Sequence, residues 1–233
     1  MVVLIGILIA SGIRIGGYMA RLGSLRGVGG GIILVLLSTG YLFTFLQTIV
    51  HSTVAEDREL PDPPGLGNFM DDIMLPFLRL LGLFAFCFAP AIALGIWVLV
   101  SGENSGGIAI AIIAALVLGG LYFPMAFLAV AILDSVGAAN PLVIVPSIMR
   151  VPLEYGATVI LLAFIVGLRP LGDFIIGAAF PQGLDTKSMG ELFAMLGARA
   201  FWGLMSFYLL IVAVHILGLL YVSKKDKLGW LDR

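Results

Sequence analysis

A succession of apolar runs, each nearly free of charge and long enough to approach the thickness of a bilayer, limits this chain more than any other feature. A helix needs about 20 residues to cross the hydrocarbon core. Six segments meet or approach that length: Val2 to Met19, Gly31 to Val50, Ile73 to Val100, Ile108 to Leu133, Val151 to Leu168 and Phe201 to Val222. Arg14 interrupts the first, which is the weakest. In lipid the backbone must satisfy its own hydrogen bonds, so only helices and closed barrels span. The runs are continuous and lack the alternation of a barrel strand. They predict an all-α fold, a polytopic transmembrane helix bundle of about six spans with interfacial helices, forming one integral membrane domain over residues 1–233.

Composition agrees. Hydrophobic residues make up 61% of the chain and charged ones 12%, with a mean hydropathy of +1.13. Soluble domains carry about 25% charged residues, so lipid must solvate most of this surface. With 13 basic and 14 acidic residues the net charge is −1, which leaves no electrostatic footprint for nucleic acid. The single cysteine, Cys87, lies in an apolar run and reads as a small buried side chain. Met1 to Ala10 resembles a signal-peptide core but lacks a basic region before it, and reads as the start of a retained helix.

Polar stretches separate the runs. His51 to Asp72 is too polar to be immersed and too rich in proline to be helical. Asn140 to Arg150 is apolar but short, which fits an interfacial or re-entrant segment. Arg169 to Arg199 reads as a polar connection whose middle, Phe174 to Phe180, dips into the interface. Two basic clusters, Arg21 to Arg26 and Lys224 to Lys227, both claim the cytoplasmic side, although six spans put them on opposite sides. The C-terminal cluster is denser and sits at a helix end, so a cytoplasmic C-terminus is expected.

Glycines spaced by four, Gly12 with Gly16 and Gly23 with Gly27 and Gly31, allow close helix approach, as does the small face of Ala109, Ala111, Ala114, Ala115, Gly119 and Gly120. The same faces fit a contact with a partner or a second copy. Pro90 and Pro124 fall within apolar runs and are expected to bend their helices, a feature of transporters and of plain bundles alike.

Ionisable groups inside a membrane are functional candidates. His215 lies near the middle of the last run, where it either bonds to a neighbouring helix or relays protons. Arg79 follows Asp72 by about two helical turns, so the two either approach each other or anchor an interface. Asp134 and Glu154 fall at span ends, within reach of water. Trp97, Trp202 and Trp230 are candidate interface anchors. No zinc, nucleophile-elbow or phosphate-loop motif occurs. The acidic residues Glu56, Asp57, Glu59, Asp62, Asp71 and Asp72 read as a solvated loop in preference to a cation site. No catalytic residue, metal ligand or cofactor is assigned.

Gly40-Tyr41-Leu-Phe, then Glu59-Leu60-Pro61-Asp62-Pro63-Pro64, then Phe69 to Leu75, with Tyr122-Phe-Pro-Met-Ala and Asn140-Pro further on, resemble a family of multi-helix prokaryotic integral membrane proteins classed as a domain of unknown function. The resemblance covers about residues 38 to 160. It implies a bundle in a prokaryotic cytoplasmic membrane, in which a Gly-Tyr helix end leads through a polar turn to an amphipathic helix, and it implies no catalytic residue. Scarce buried charge and little extramembrane mass make a non-catalytic accessory or structural subunit of a larger membrane complex the expected function, with lipid and other membrane subunits, or a second copy, as partners. A transporter or channel for a small or lipid-like molecule is the alternative, and a lipid-acting enzyme the second.

Overall fold

A computed structural model describes residues 25–57, 67–103, 105–180 and 188–230. These form seven α-helices: α1 (Leu25–Val54), α2 (Leu75–Cys87), α3 (Ala89–Ser101), α4 (Gly106–Leu133), α5 (Pro141–Arg150), α6 (Pro152–Ala179) and α7 (Met189–Leu228). A π-helical turn, Met70–Met74, leads into α2, and a 3-10 turn, Val136–Ala139, links α4 to α5. No strand occurs among the described residues. Four helices (α1, α4, α6 and α7) are long and apolar enough to cross a membrane, and α2 with α3 makes a fifth if the bent pair is one span. The first expected span, Val2 to Met19, lies outside the described residues, as does Gly23.

Caps explain most boundaries. Ser105 accepts a bond from the Ile108 N–H at the start of α4. Asn140 accepts from the Leu142 N–H, with Pro141 in the first turn of α5. Gly102 and Gly229 close α3 and α7 with positive φ, at 70° and 59°. Asp134 takes the same left-handed role after α4, at φ 51°, without glycine's freedom.

Three expectations change. The run Ile73 to Val100 is not one continuous helix but two helices at 73°, broken at Phe88. Pro90 sits in the first turn of α3, where its missing N–H costs nothing. The fifth run does not stop at Leu168: α6 continues through Pro170 to Ala179, since lipid-embedded helices tolerate proline. The last run starts far earlier than Phe201, because Ser188 caps α7 by accepting from the Glu191 N–H. The expected polar connection Arg169 to Arg199 is therefore largely helical. Pro124 does not end α4 either.

The second half of α4 is the centre of the bundle. Every residue from Met125 to Ala131 is buried. Seven residues make about two turns, so the helix is enclosed on all sides. α1, α2, α3, α5, α7 and the 3-10 turn all touch α4. Pro124 removes the N–H that would bond the Gly120 carbonyl. Beside it, the Tyr155 hydroxyl donates to Leu121 O at 2.5 Å, and the Tyr122 hydroxyl donates to Ala139 O. A ladder of rings runs outward from this centre. Phe123 lies 4.9 Å from Phe84, 6.4 Å from Phe88 and 6.3 Å from Phe127 between ring centroids. Phe127 meets Phe43 of α1 edge-on at 5.7 Å. Such pairs contribute about 0.5–1.5 kcal/mol each beyond area burial.

Glycines set the closest approaches. A Cβ at Gly119 would lie 2.7 Å from the Cys87 carbonyl and 2.6 Å from the Phe88 ring. The α2–α3 break therefore fits only against a glycine. A Cβ at Gly40 would meet Ile73 O at 2.5 Å, one at Gly218 the Thr53 side chain at 2.8 Å, and one at Gly172 the Trp202 ring at 1.7 Å. Gly27 and Gly31 lie in the first turns of α1, where Gly31 is buried.

Gly119→Ala is expected to lower the apparent melting temperature in detergent, at a cost of about 1–3 kcal/mol for overpacking. Gly120→Ala, beside open space, is expected to be neutral or stabilising in the same thermal scan.

Candidate functional site

The polar side chains of the described helices gather at three places, and each is built from helix geometry. The first surrounds the start of α2. Asn68 donates through its backbone N–H to an Asp72 carboxylate oxygen at 2.8 Å and through its side-chain amide to Asp71 at 2.6 Å. The Thr44 hydroxyl of α1 lies within hydrogen-bond distance of two carbonyls, Asp72 O at 2.9 Å and Gly40 O at 3.1 Å, between which its one proton is shared. The π-turn thus sits on α1 at Gly40 and Thr44, so Gly40-Tyr41 lies inside a helix and not at a helix end. Arg79 does not pair with Asp72. Its guanidinium grips the Asp134 carboxylate through both terminal nitrogens, the longer bond being 3.3 Å. One residue of α2 and the cap of α4 are thereby tied together. The Arg79 side chain is 19% exposed and that of Asp134 66%.

The second place joins α1 to α7. These helices run in the same direction, with Phe45 stacked on Phe207 and Thr53 against His215. Thr53 Oγ1 lies 2.7 Å from Ile49 O and 2.8 Å from His215 Nδ1. A hydroxyl has one proton to give. If the proton bonds Ile49, Nδ1 must donate to Thr53 Oγ1. His215 of α7 thus lies at hydrogen-bond distance from Thr53 of α1, while its outer side stays exposed.

The third lies where α6 begins and α7 ends. Trp230 Nε1 donates to Ser147 Oγ at 2.9 Å, and its ring stacks on Tyr221 at 5.5 Å. Arg150 donates to the terminal carbonyls of α7, Leu228 O at 3.0 Å and Lys227 O at 3.3 Å. Lys224 pairs with Glu154 at 2.7 Å. Trp230 is thus a buried packing residue and not a free interface anchor. Trp202, laid over Gly172, also packs between helices, whereas Trp97 is exposed.

One polar group outside the sequence-based candidates stands out. Gln47, the only amide side chain in the run Gly31 to Val50, is 6% exposed, and its Nε2 has no hydrogen-bond partner among the described residues. A lone amide in an apolar run was a readable signal for it. Among the described residues, no three His, Cys, Asp or Glu come close enough to hold a metal ion. Glu59 and Asp62 of the expected acidic loop lie outside the described residues. Pro90 follows the break at Phe88, and Pro124 stands next to Phe123 of the aromatic ladder.

Comparison with protein-family models, with curated proteins and with solved structures finds no match.

Leaving a buried amide unpaired costs about 1–3 kcal/mol. Gln47→Met is therefore expected to raise, or at least preserve, the melting temperature of the isolated protein, while Met125→Ala in the same core lowers it by the equivalent of about 2–5 kcal/mol. A thermal scan of the two purified variants checks this.

Proposed function

We propose that the chain is a non-catalytic subunit of a larger membrane assembly, held there through helix faces that the described residues leave uncovered. The observation that carries this reading is the division among its glycines. Gly40, Gly119, Gly172 and Gly218 have no room for a Cβ. By contrast Gly120, Gly167, Gly177 and Gly197 meet nothing within 4 Å and are exposed. A glycine in a helix interior costs about 1 kcal/mol relative to alanine. In membranes that cost is offset where a second helix approaches closely, and among the described residues no helix comes within 4 Å of where a Cβ would stand on these four. The α3–α4 hairpin supports the same reading. From Gly106 to Leu121 only Ile108, Ile112, Ala115 and Gly119 escape exposure, one stripe at helical spacing. The remaining faces, with Ile110, Ile113, Val117 and Leu118, are bare.

Transport is the second reading. It is favoured by the broken α2–α3 segment, since discontinuous helices build transporter sites, and by the outward side of His215. Against it, the break is packed with Phe84, Phe88 and Phe123, not with polar groups.

Gentle purification of the tagged chain from its native membranes tests the proposal. A fixed ratio of other membrane proteins, or of a second copy, is expected to remain bound. Gly120→Leu, Gly167→Leu and Gly177→Leu are expected to release it without lowering the melting temperature of the isolated chain. A chain that comes away alone, or variants that keep the same companions, would contradict the subunit reading. In that case His215→Ala in reconstituted vesicles becomes the deciding variant for transport.

A further inference from the structure

The end of the bundle formed by α5, the first turn of α6 and the last turn of α7 combines two surfaces that no contact within the described residues uses together. One is apolar. α5 turns Ile144 and Ser147 inward, where Ile144 is 0% and Ser147 2% exposed. On the opposite side Leu142, Val145 and Met149 stand out at helical spacing, followed by Leu153 in the first turn of α6. Leu142 is 82%, Met149 73% and Leu153 85% exposed. The other surface is charged. Arg150, Lys225 and Lys227 are exposed at this end, and Lys224 is engaged by Glu154. With Asp226, the end holds four basic side chains against two acidic ones.

The orientation of the apolar ridge is fixed. The Trp230–Ser147 bond, the Ser147 hydroxyl on Val143 O at 2.7 Å and the Arg150 bonds to the last carbonyls of α7 hold α5 against the bundle. The ridge cannot roll inward without breaking them. A short helix with an apolar outer face beside a basic cluster is the chemistry that binds an anionic lipid leaflet: acyl chains take the ridge and headgroup phosphates take the ammonium and guanidinium groups. Arg150 keeps further N–H donors after its carbonyl bonds, since a guanidinium has five.

We propose that this end is a seat for anionic phospholipid, with Leu142, Val145, Met149 and Leu153 in the acyl layer and Arg150, Lys225 and Lys227 at the headgroup. The seat lies apart from the glycine faces on which the subunit reading rests, so either stands without the other.

The full-length protein is purified in mild detergent and offered equal amounts of phosphatidylglycerol and phosphatidylcholine with matched chains, and the retained lipid is counted by native mass spectrometry. The wild type is expected to retain phosphatidylglycerol over phosphatidylcholine by on the order of tenfold, a preference that shrinks as salt is raised. Lys225→Gln with Lys227→Gln is expected to remove most of the preference while weak retention of both lipids persists. Lys225→Arg with Lys227→Arg is expected to keep it. Leu142→Ser with Met149→Ser is expected to lower retention of both lipids at this seat. Equal retention of the two lipids by the wild type, or no response to salt, overturns the proposal without recourse to any variant. Undiminished preference in the double glutamine variant overturns it as well.

Discussion

The enclosure of the second half of α4 is the constraint on which the rest of the structure depends. A helix in lipid gains little from hiding apolar side chains, because the lipid tails outside are equally apolar. What holds such helices together is close packing and the few polar bonds between them. From Met125 to Ala131 three of the seven residues are alanine, which lets neighbours approach closely, and Phe127 fills the space toward α1. The bonds that secure the approach come from tyrosines. Tyr155 and Tyr122 each donate to a backbone carbonyl, close to where Pro124 has removed a backbone N–H. The aromatic ladder from Phe88 to Phe43 then carries the packing from the α2–α3 break to α1.

A second kind of contact acts at helix ends. Arg79 with Asp134, Lys224 with Glu154, and Arg150 with the last carbonyls of α7 all tie the terminus of one helix to another. A left-handed cap at Asp134 aims its carboxylate at a guanidinium on α2, which accounts for an aspartate where glycine would be the easier residue. The charged residues of the chain are few, and those in the described helices that form ion pairs close the bundle at its ends without entering its centre. Much of the apolar surface of the outer half of α4, of α6 and of the first part of α7 is exposed among the described residues.

Much of this was legible from residue order. Apolar runs located α1, α4, α6 and α7, and the short run Asn140 to Arg150 marked α5 as a helix of a different kind. What was not legible has physical causes. Pro90 reads as a kink from sequence, because the break at Phe88 depends on room supplied by Gly119, far along the chain. Arg79 has Asp72 nearby in sequence, but its partner lies 55 residues on and is reachable only once α2 packs along α4. Helix α6 outlasts Pro170 because lipid penalises an unfolded backbone more than proline penalises a helix. The true start of α7 was written in Ser188-Met-Gly-Glu191, a cap pattern that the polar character of that stretch obscured. Among the site residues, His215 lies 2.8 Å from a threonine on a neighbouring helix, whereas Gln47 is missing from the sequence-based candidates in spite of being the only amide in its run.

The most direct test of the central claim is a nitroxide scan along α4 in lipid nanodiscs, from Ile108 to Leu133, with Cys87 replaced, reading collision with oxygen as a measure of lipid exposure. Enclosure predicts two regimes. From Ile108 to Leu121 accessibility should rise and fall with a helical period, with minima at Ile108, Ile112, Ala115 and Gly119. From Met125 to Ala131 it should stay low at every position. A single periodic pattern sustained through Ala131 would mean that one face of this segment meets lipid, and would contradict the account of α4 as the enclosed centre of the fold.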